Sequence, residues 1–532
     1  MSGASSSWRT ADGVSLYRNF LSVGGWTVGS RVLGFVRDAL VAAVLGTGFA
    51  ADAYVAAFRF PNLFRRLFAE GAFNTAFIPM FSKSLEQEGE DPARAWASRI
   101  ISWLVLVVAV VTILVEIFMP WVLVPFVPGF TDDPEKFELT VLLTRICFPY
   151  LMCMSLMAAY AAILNALNRF TAAAFAPVLL NIVMIAFMAP LVIGAPKTDV
   201  ETAIWVAIGT LAGGVAQLAF VYVAIRRARF VPKFVWPKFD SEVKRFWIRA
   251  VPAIIAGGIT QVNLFVGTII ASGAPSAMAL IYYADRLYQL PLGIIGIAIG
   301  TVLLPELSRH LAGRRFKEAE ASQTQALLIS MLLSMPAATA LIALAQPIVH
   351  VLFERGEFTA YDTVETAKVL VWFAAGLPAY VLIRVLQPGF FAREDTVTPT
   401  IFAAISVAVN IAVSLALFPS LQHVGIAIAT SAAAWVNTLL LGFFLYRRRH
   451  FALGASEWRR HAVIVAISVA MAGVLWGLST AMAPLFAANI LVQLLALGFL
   501  VGFGMAFYFV LVHVTRVQPL GMLLKRLRRR TA

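Results

Sequence analysis

The stretch SRVLGFVRDALVAAVLG, Ser30–Gly46, is apolar enough to lie in a bilayer, yet it carries Arg31, Arg37 and Asp38. A charge held at the bilayer centre costs about 2.5–3.5 kcal/mol on insertion scales. Side chains of this kind face a bundle interior or a water-filled path, so the fold has to provide one. The rest of the chain is of the same character. Of 532 residues, 60% are hydrophobic and 13% charged, with a mean hydropathy of +0.83. The bilayer is therefore the expected solvent. The polar start MSGASSSWRTADGVS runs into an apolar stretch without a signal-peptide cleavage pattern and reads as a short cytoplasmic lead.

An apolar helix needs about 20 residues to cross the hydrocarbon. Fourteen runs qualify, at 19–45, 51–82, 100–120, 139–164, 172–193, 201–225, 247–272, 277–305, 323–346, 366–388, 398–419, 423–446, 461–482 and 486–514. Pro61 is expected to kink the second, because proline lacks the N–H that a helix interior uses. Lysine and arginine give an independent check on orientation, since cytoplasmic flanks retain positive charge. With the N-terminus inside, the outside loops hold only Lys136, Lys197, Arg355 and Lys368. Arg31, Arg37, Arg59, Arg65, Arg66, Arg145, Arg286 and Arg384 fall within spans, and the other thirty of the 42 basic residues lie inside. The expected fold is thus an all-α polytopic membrane protein with 14 transmembrane helices and both termini in the cytoplasm. The clusters RRARFVPK, RRRH and LLKRLRRR are juxtamembrane, where they set topology and meet anionic headgroups. A net charge of +14 then needs no nucleic acid.

An internal echo organises the spans. FRFPNLFRRLFAEGAFNTAFIPMFS closes the second and ADRLYQLPLGIIGIAIGTVLLPELS closes the eighth, with Pro79-x-x-Ser82 matching Pro305-x-x-Ser308. A weaker pair is NRFTAAAFAP after span four and AREDTVTP after span ten. Six spans separate each pair, an even number, so the halves share orientation as parallel repeats do. The expected domains are an N-terminal lobe at 1–230, a C-terminal lobe at 231–450, and an addition at 451–532 holding spans 13 and 14 with a basic tail. Two six-helix lobes in one chain suggest a transporter that opens to alternate sides, and a monomer.

The charges concentrate in spans one, two and eight. Arg31 and Asp38 are seven apart and share a helix face, as do Arg59 and Arg66, with Glu70 one turn further on. Span eight adds Asp285 and Arg286. An excess of buried cations calls for an anion, and none of the eight cations within spans is lysine. Arginine's planar fork suits phosphate oxygens. The expected cargo is therefore anionic, a phosphate or pyrophosphate. Catalysis has little support. There is no phosphate-binding G-x-x-x-x-G-K-[ST] loop and no H-E-x-x-H, and Cys147 and Cys153 form neither a disulfide framework nor a metal site. Neither an enzyme nor a cofactor or metal site is expected.

The runs SRVLGFVRDALVA, ADAYVAAFRFPNLFRRLFAEGAFNTAFIP, NRFTAAAFAPVLLNI, YYADRLYQLPLGIIGIAIGTVLLPELS and GFFAREDTVTP closely resemble the MurJ (MviN) family of lipid II flippases, within the multidrug/oligosaccharidyl-lipid/polysaccharide exporter superfamily. The resemblance runs from the first span to the tail. It implies movement of an undecaprenyl-pyrophosphate-linked peptidoglycan precursor from the cytoplasmic to the periplasmic leaflet of the bacterial inner membrane. It also implies that Arg31, Arg37, Arg65 and Arg286 bind the pyrophosphate, with Asp38, Asp52, Arg66, Glu70 and Asp285 as neighbours or proton-route candidates. Spans 13 and 14 resemble those that guide the polyprenyl tail. Lipid II, membrane lipids and cell-wall synthesis proteins are the partners this suggests. Gln289 stands where some members have an acid, and span seven offers Gln261 and Asn263 rather than an Asp, which puts sodium coupling in question.

Overall fold

A computed structural model describes residues 8–66, 73–194, 198–451 and 453–517, excepting the side chains of 8–23, 74–75, 253–260, 297–298 and 301. Among the described residues the regular structure is helical, and 231–240 form an irregular connection. In order it forms α1 Trp8–Leu45, α2 Phe49–Arg65, α3 Asn74–Glu88, α4 Glu90–Ile117, α5 Met119–Leu123 and α6 Pro134–Cys147. Then come α7 Tyr150–Ala166, α8 Thr171–Val192, α9 Asp199–Arg227, α10 Ser241–Ser272, α11 Ala277–Ala312 and α12 Phe316–Ala343. The last are α13 Ala345–Phe353, α14 Ala360–Phe391, α15 Val397–Arg447, α16 Ala455–Ala481, α17 Ala483–Phe486 and α18 Ile490–Val514.

Among the described residues, nine helical stretches are long and apolar enough to cross a membrane: α4, α6 with α7, α8, α9, α12, α14, α15, α16 and α18. The remaining long helices, α1, α10 and α11, include the charged stretches that opened the argument. The runs expected at 398–419 and 423–446 are two helices within the stretch α15, separated by a kink at Gln422, whose backbone is non-helical (φ 45, ψ −124). Pro61 lies inside α2, and the helix continues through it to Arg65.

The chain divides into two compact units, Met1–Ala279 with Arg355–Phe358, and Leu280–Glu354 with Thr359–Ala532. In the first, α8 packs on α1 and α9, and α2 packs on α6. With no water in the hydrocarbon, polar groups have to find partners within the protein. Gln217 Nε2 of α9 donates to the Ala176 carbonyl of α8 at 2.8 Å, and Trp205 Nε1 to that of Phe187 at 2.6 Å. The α9 N-terminus is closed by Thr198 and Glu201, each side chain accepting the other's backbone N–H.

In the second unit, α14 lies between α12 and α15, and α12 also carries α16. Gln323 Nε2 donates to the Val385 carbonyl at 2.7 Å, and Trp435 Nε1 to that of Ala375 at 3.0 Å. The C-terminal helices join through Leu328 and Leu332 of α12 with Met471, Leu475, Leu500 and Val512. Tyr508 fixes the joint, its hydroxyl donating to the Leu332 carbonyl at 2.8 Å. Their other faces leave Trp476, Leu491, Leu495 and Phe499 exposed, as lipid-facing surfaces do.

Candidate functional site

The opening stretch folds as the second half of α1, where Arg31 is exposed and Arg37 mostly buried. The Arg37 guanidinium is held on both sides. Its Nη2 and Nε donate to Asp38 Oδ1 at 2.8 and 3.1 Å, and its Nη1 donates to Asn181 Oδ1 at 2.9 Å. Asn181 Nδ2 in turn donates to the Ser30 carbonyl at 2.9 Å, so one α8 amide grips α1 at two points. Asp38 itself is buried. A charged hydrogen bond in such a place is worth more than a neutral one, because little solvent competes for its groups. This network aims Arg37 with little freedom. Asn181 was not among the residues singled out from sequence, although an amide within the apolar run APVLLNIVM is a visible signal.

Arg65 ends α2, and its Nε donates to Asn62 Oδ1 at 3.0 Å, while Asn62 Nδ2 donates to the Phe58 carbonyl at 2.8 Å. Arg66 follows as an exposed residue. Glu70 lies outside the described residues. Asp52 is fully buried near the start of α2. Its Oδ2 accepts from Lys136 Nζ at 2.7 Å and its Oδ1 from the Ala279 N–H at 3.0 Å. Lys136, read from sequence as an outside-loop residue, stands in the first turn of α6 and is buried over the Phe130 ring at 4.0 Å. Nothing local in the sequence marks it, since its partner is 84 residues away.

In the second unit, Asp285 and Arg286 sit one after the other on α11. Gln289 Nε2 donates to Asp285 Oδ2, and the Arg286 guanidinium lies 4.5 Å from the centre of the Tyr282 ring. That stacking keeps a cation in place. Gln289 thus holds the Asp285 carboxylate from one turn along α11.

Long apolar helices in two units define a polytopic α-helical membrane protein. A family profile described as "MurJ: Lipid II flippase MurJ" matches residues 41–518, and the chain belongs to that family. A protein of Rhizobium tropici named "Probable lipid II flippase MurJ" is 46% identical over 524 residues, covering 97% of each chain. A solved structure titled "Lipid II flippase MurJ, inward closed conformation" is 26% identical with a TM-score of 0.74, covering 93% of this chain and 98% of its own. An inward-facing multidrug resistance MATE transporter of the MOP superfamily shares the fold at 17% identity, with a TM-score of 0.65 over 79% of this chain and 94% of its own.

Proposed function

We propose that this chain is a lipid II flippase, carrying the undecaprenyl-pyrophosphate-linked peptidoglycan precursor from the cytoplasmic to the periplasmic leaflet by alternating access. The observation that carries the reading is the family match, which runs from the last turns of α1, at residue 41, past the end of α18 and so takes in both units. The lobes that rock are 1–230 and 231–450. Arg31, Arg37, Arg65 and Arg286 grip the pyrophosphate, with Asp38, Asp52, Arg66, Glu70 and Asp285 as supporting or proton-carrying groups. The cargo's negative charge offsets the repulsion among the arginines, which lets the lobes close around it. The polyprenyl tail stays in lipid along α16 and α18, whose apolar faces are exposed. The chain acts as a monomer in the inner membrane with both termini in the cytoplasm, and it breaks no covalent bond.

The test is lipid II exposure at the outer leaflet of cells depleted of their own flippase, read with an external lipid II-cleaving enzyme. The intact chain should restore cleavage and Arg286→Ala should not, at equal protein level. Cleavage restored equally by both would remove Arg286 from the grip. No cleavage with either would assign the chain a different polyprenyl-linked cargo.

A further inference from the structure

The first unit carries a cavity of about 410 Å³ that no step above uses. It opens where α7 ends, α8 begins and α9 ends. Leu164, Phe170 and Phe220 supply apolar walls, and Arg169 and Arg227 supply charge. All three helices belong to stretches able to cross a membrane, so their shared end lies at headgroup depth. The distribution of lysine and arginine assigns that end to the cytoplasmic leaflet. No carboxylate lines the cavity, and among the described residues neither arginine has an ion-pair partner.

The second unit shows how the same turn is built when its charge is closed from within. Asn168 after α7 and Glu394 after α14 both adopt a left-handed backbone, φ 60 and 63. The next N–H then reaches back five residues in each case, Arg169 to the Leu164 carbonyl at 2.8 Å and Asp395 to that of Phe390 at 3.2 Å. One residue further on, Phe170 and Thr396 cap the following helices. Arg169 therefore occupies the place of Asp395. The Asp395 carboxylate accepts from the Thr398 N–H at 2.9 Å and from Arg448 Nη1 at 2.6 Å, beyond the far end of α15. Helices α9 and α15 also end alike, with Arg229 and Arg449 left-handed at φ 56 and 55, which sets Arg227 level with Arg447. Where the second unit supplies an acid to meet its arginines, the first supplies another arginine.

We propose that this cavity binds the headgroup of an anionic phospholipid of the cytoplasmic leaflet, with the phosphate between Arg169 and Arg227. Two guanidinium forks match a phosphodiester, the aromatic walls take the first carbons of the attached chains, and the size suits a small ligand group. The site is separate from the cargo grip and stands whether or not the transport reading does.

The experiment is native mass spectrometry of the purified full-length chain in detergent, titrated with dioleoylphosphatidylglycerol or dioleoylphosphatidylcholine. Phosphatidylglycerol should bind the parent chain more tightly than phosphatidylcholine. Arg169→Gln/Arg227→Gln should weaken phosphatidylglycerol by about tenfold to thirtyfold and leave phosphatidylcholine unchanged. Arg169→Asp installs the acid that the second unit has, and should lose phosphatidylglycerol while melting at the parent's temperature. Should that variant not fold, Arg169→Gln alone, which removes only charge, gives the same reading. Equal phosphatidylglycerol affinity in parent and folded variants would overturn the proposal. So would displacement of the lipid by millimolar inorganic phosphate, which marks a site for the free anion.

Discussion

Lys136 Nζ lies 2.7 Å from Asp52 Oδ2, and both side chains are buried, the aspartate completely. The pair joins the N-terminal turn of α6 to the first turns of α2, and through Asp52 Oδ1 to the Ala279 N–H of α11. Removing one member of a buried pair leaves an uncompensated charge and typically costs about 3–5 kcal/mol, whereas replacing both with apolar groups costs far less. Asp52→Asn keeps the acceptor for Ala279 and removes only the charge. It should lower the thermal midpoint in detergent sharply. Lys136→Met should do the same, and the double variant should recover much of the loss. Additive losses in the double variant would mean that the two charges do not depend on each other.

Asn181 offers a narrower test. It accepts from Arg37 and donates to the Ser30 carbonyl, so Asn181→Leu deprives both of a partner at nearly equal volume. The expected loss is about 1.5–3 kcal/mol for the charged hydrogen bond, together with slower lipid II exposure, because Arg37 is no longer aimed. Gly34→Ala is the companion, since its added carbon would sit 3.4 Å from Asn181 Nδ2, an ordinary contact. That variant should fold and transport as the parent does. A functional Asn181→Leu chain would show that Asp38 alone orients the arginine.

Much of this architecture is legible without coordinates, because a membrane helix announces itself by local composition. The runs that became α8, α9, α12, α16 and α18 need no partner to be recognised, only about 20 apolar residues. Long-range pairing leaves no such trace. Lys136 looks like any loop lysine, and only the fold brings it against Asp52. Gln422 is the converse, since the chain turns there without the Gly or Asn that a left-handed residue usually advertises. Among the candidate site residues, the arginines were conspicuous because they are costly in hydrocarbon, while Asn181 and Asn62, which orient two of them, were not. A neutral amide raises the insertion cost too little to stand out in an apolar run.

Asp395 supplies a dependence on pH. It lies between α14 and α15, where the Thr398 N–H, more than any other contact, holds its carboxyl at about 2, below the ordinary 3.8. The Thr398 hydroxyl and Arg448 add to this. Because the folded value is the lower one, the unfolded chain binds the proton first as pH falls. The contribution is therefore complete above about pH 4 and is lost between there and about pH 2. Asp395→Asn should lower the thermal midpoint by a constant amount at pH 5–8, and the difference from the parent should shrink below pH 4. A difference that stays constant down to pH 2 would assign the effect to packing rather than to charge.

The segment Arg355–Phe358 belongs to the first unit although the residues on either side of it belong to the second. It is attached at the end of α1, where the Glu357 N–H donates to the Ala43 carbonyl at 2.9 Å. Two glycines permit the approach. Gly46 and Gly356 both have φ +58, and a Cβ on them would lie 2.5 Å from the Glu357 carbonyl oxygen and 2.2 Å from that of Ala43. The obstructing atoms are backbone, so no rotamer change relieves them. Gly356→Ala should therefore incur the left-handed penalty and lose the Glu357 hydrogen bond, together about 2–3 kcal/mol. Gly473→Ala, in the interior of α16 with nothing within 4 Å of the new carbon, should be neutral or slightly stabilising. Thermal melting of the two variants beside the parent checks this. Equal midpoints for all three would show that the segment detaches from α1 at little cost, whereas a drop confined to Gly356→Ala would establish that it is an integral part of the first unit.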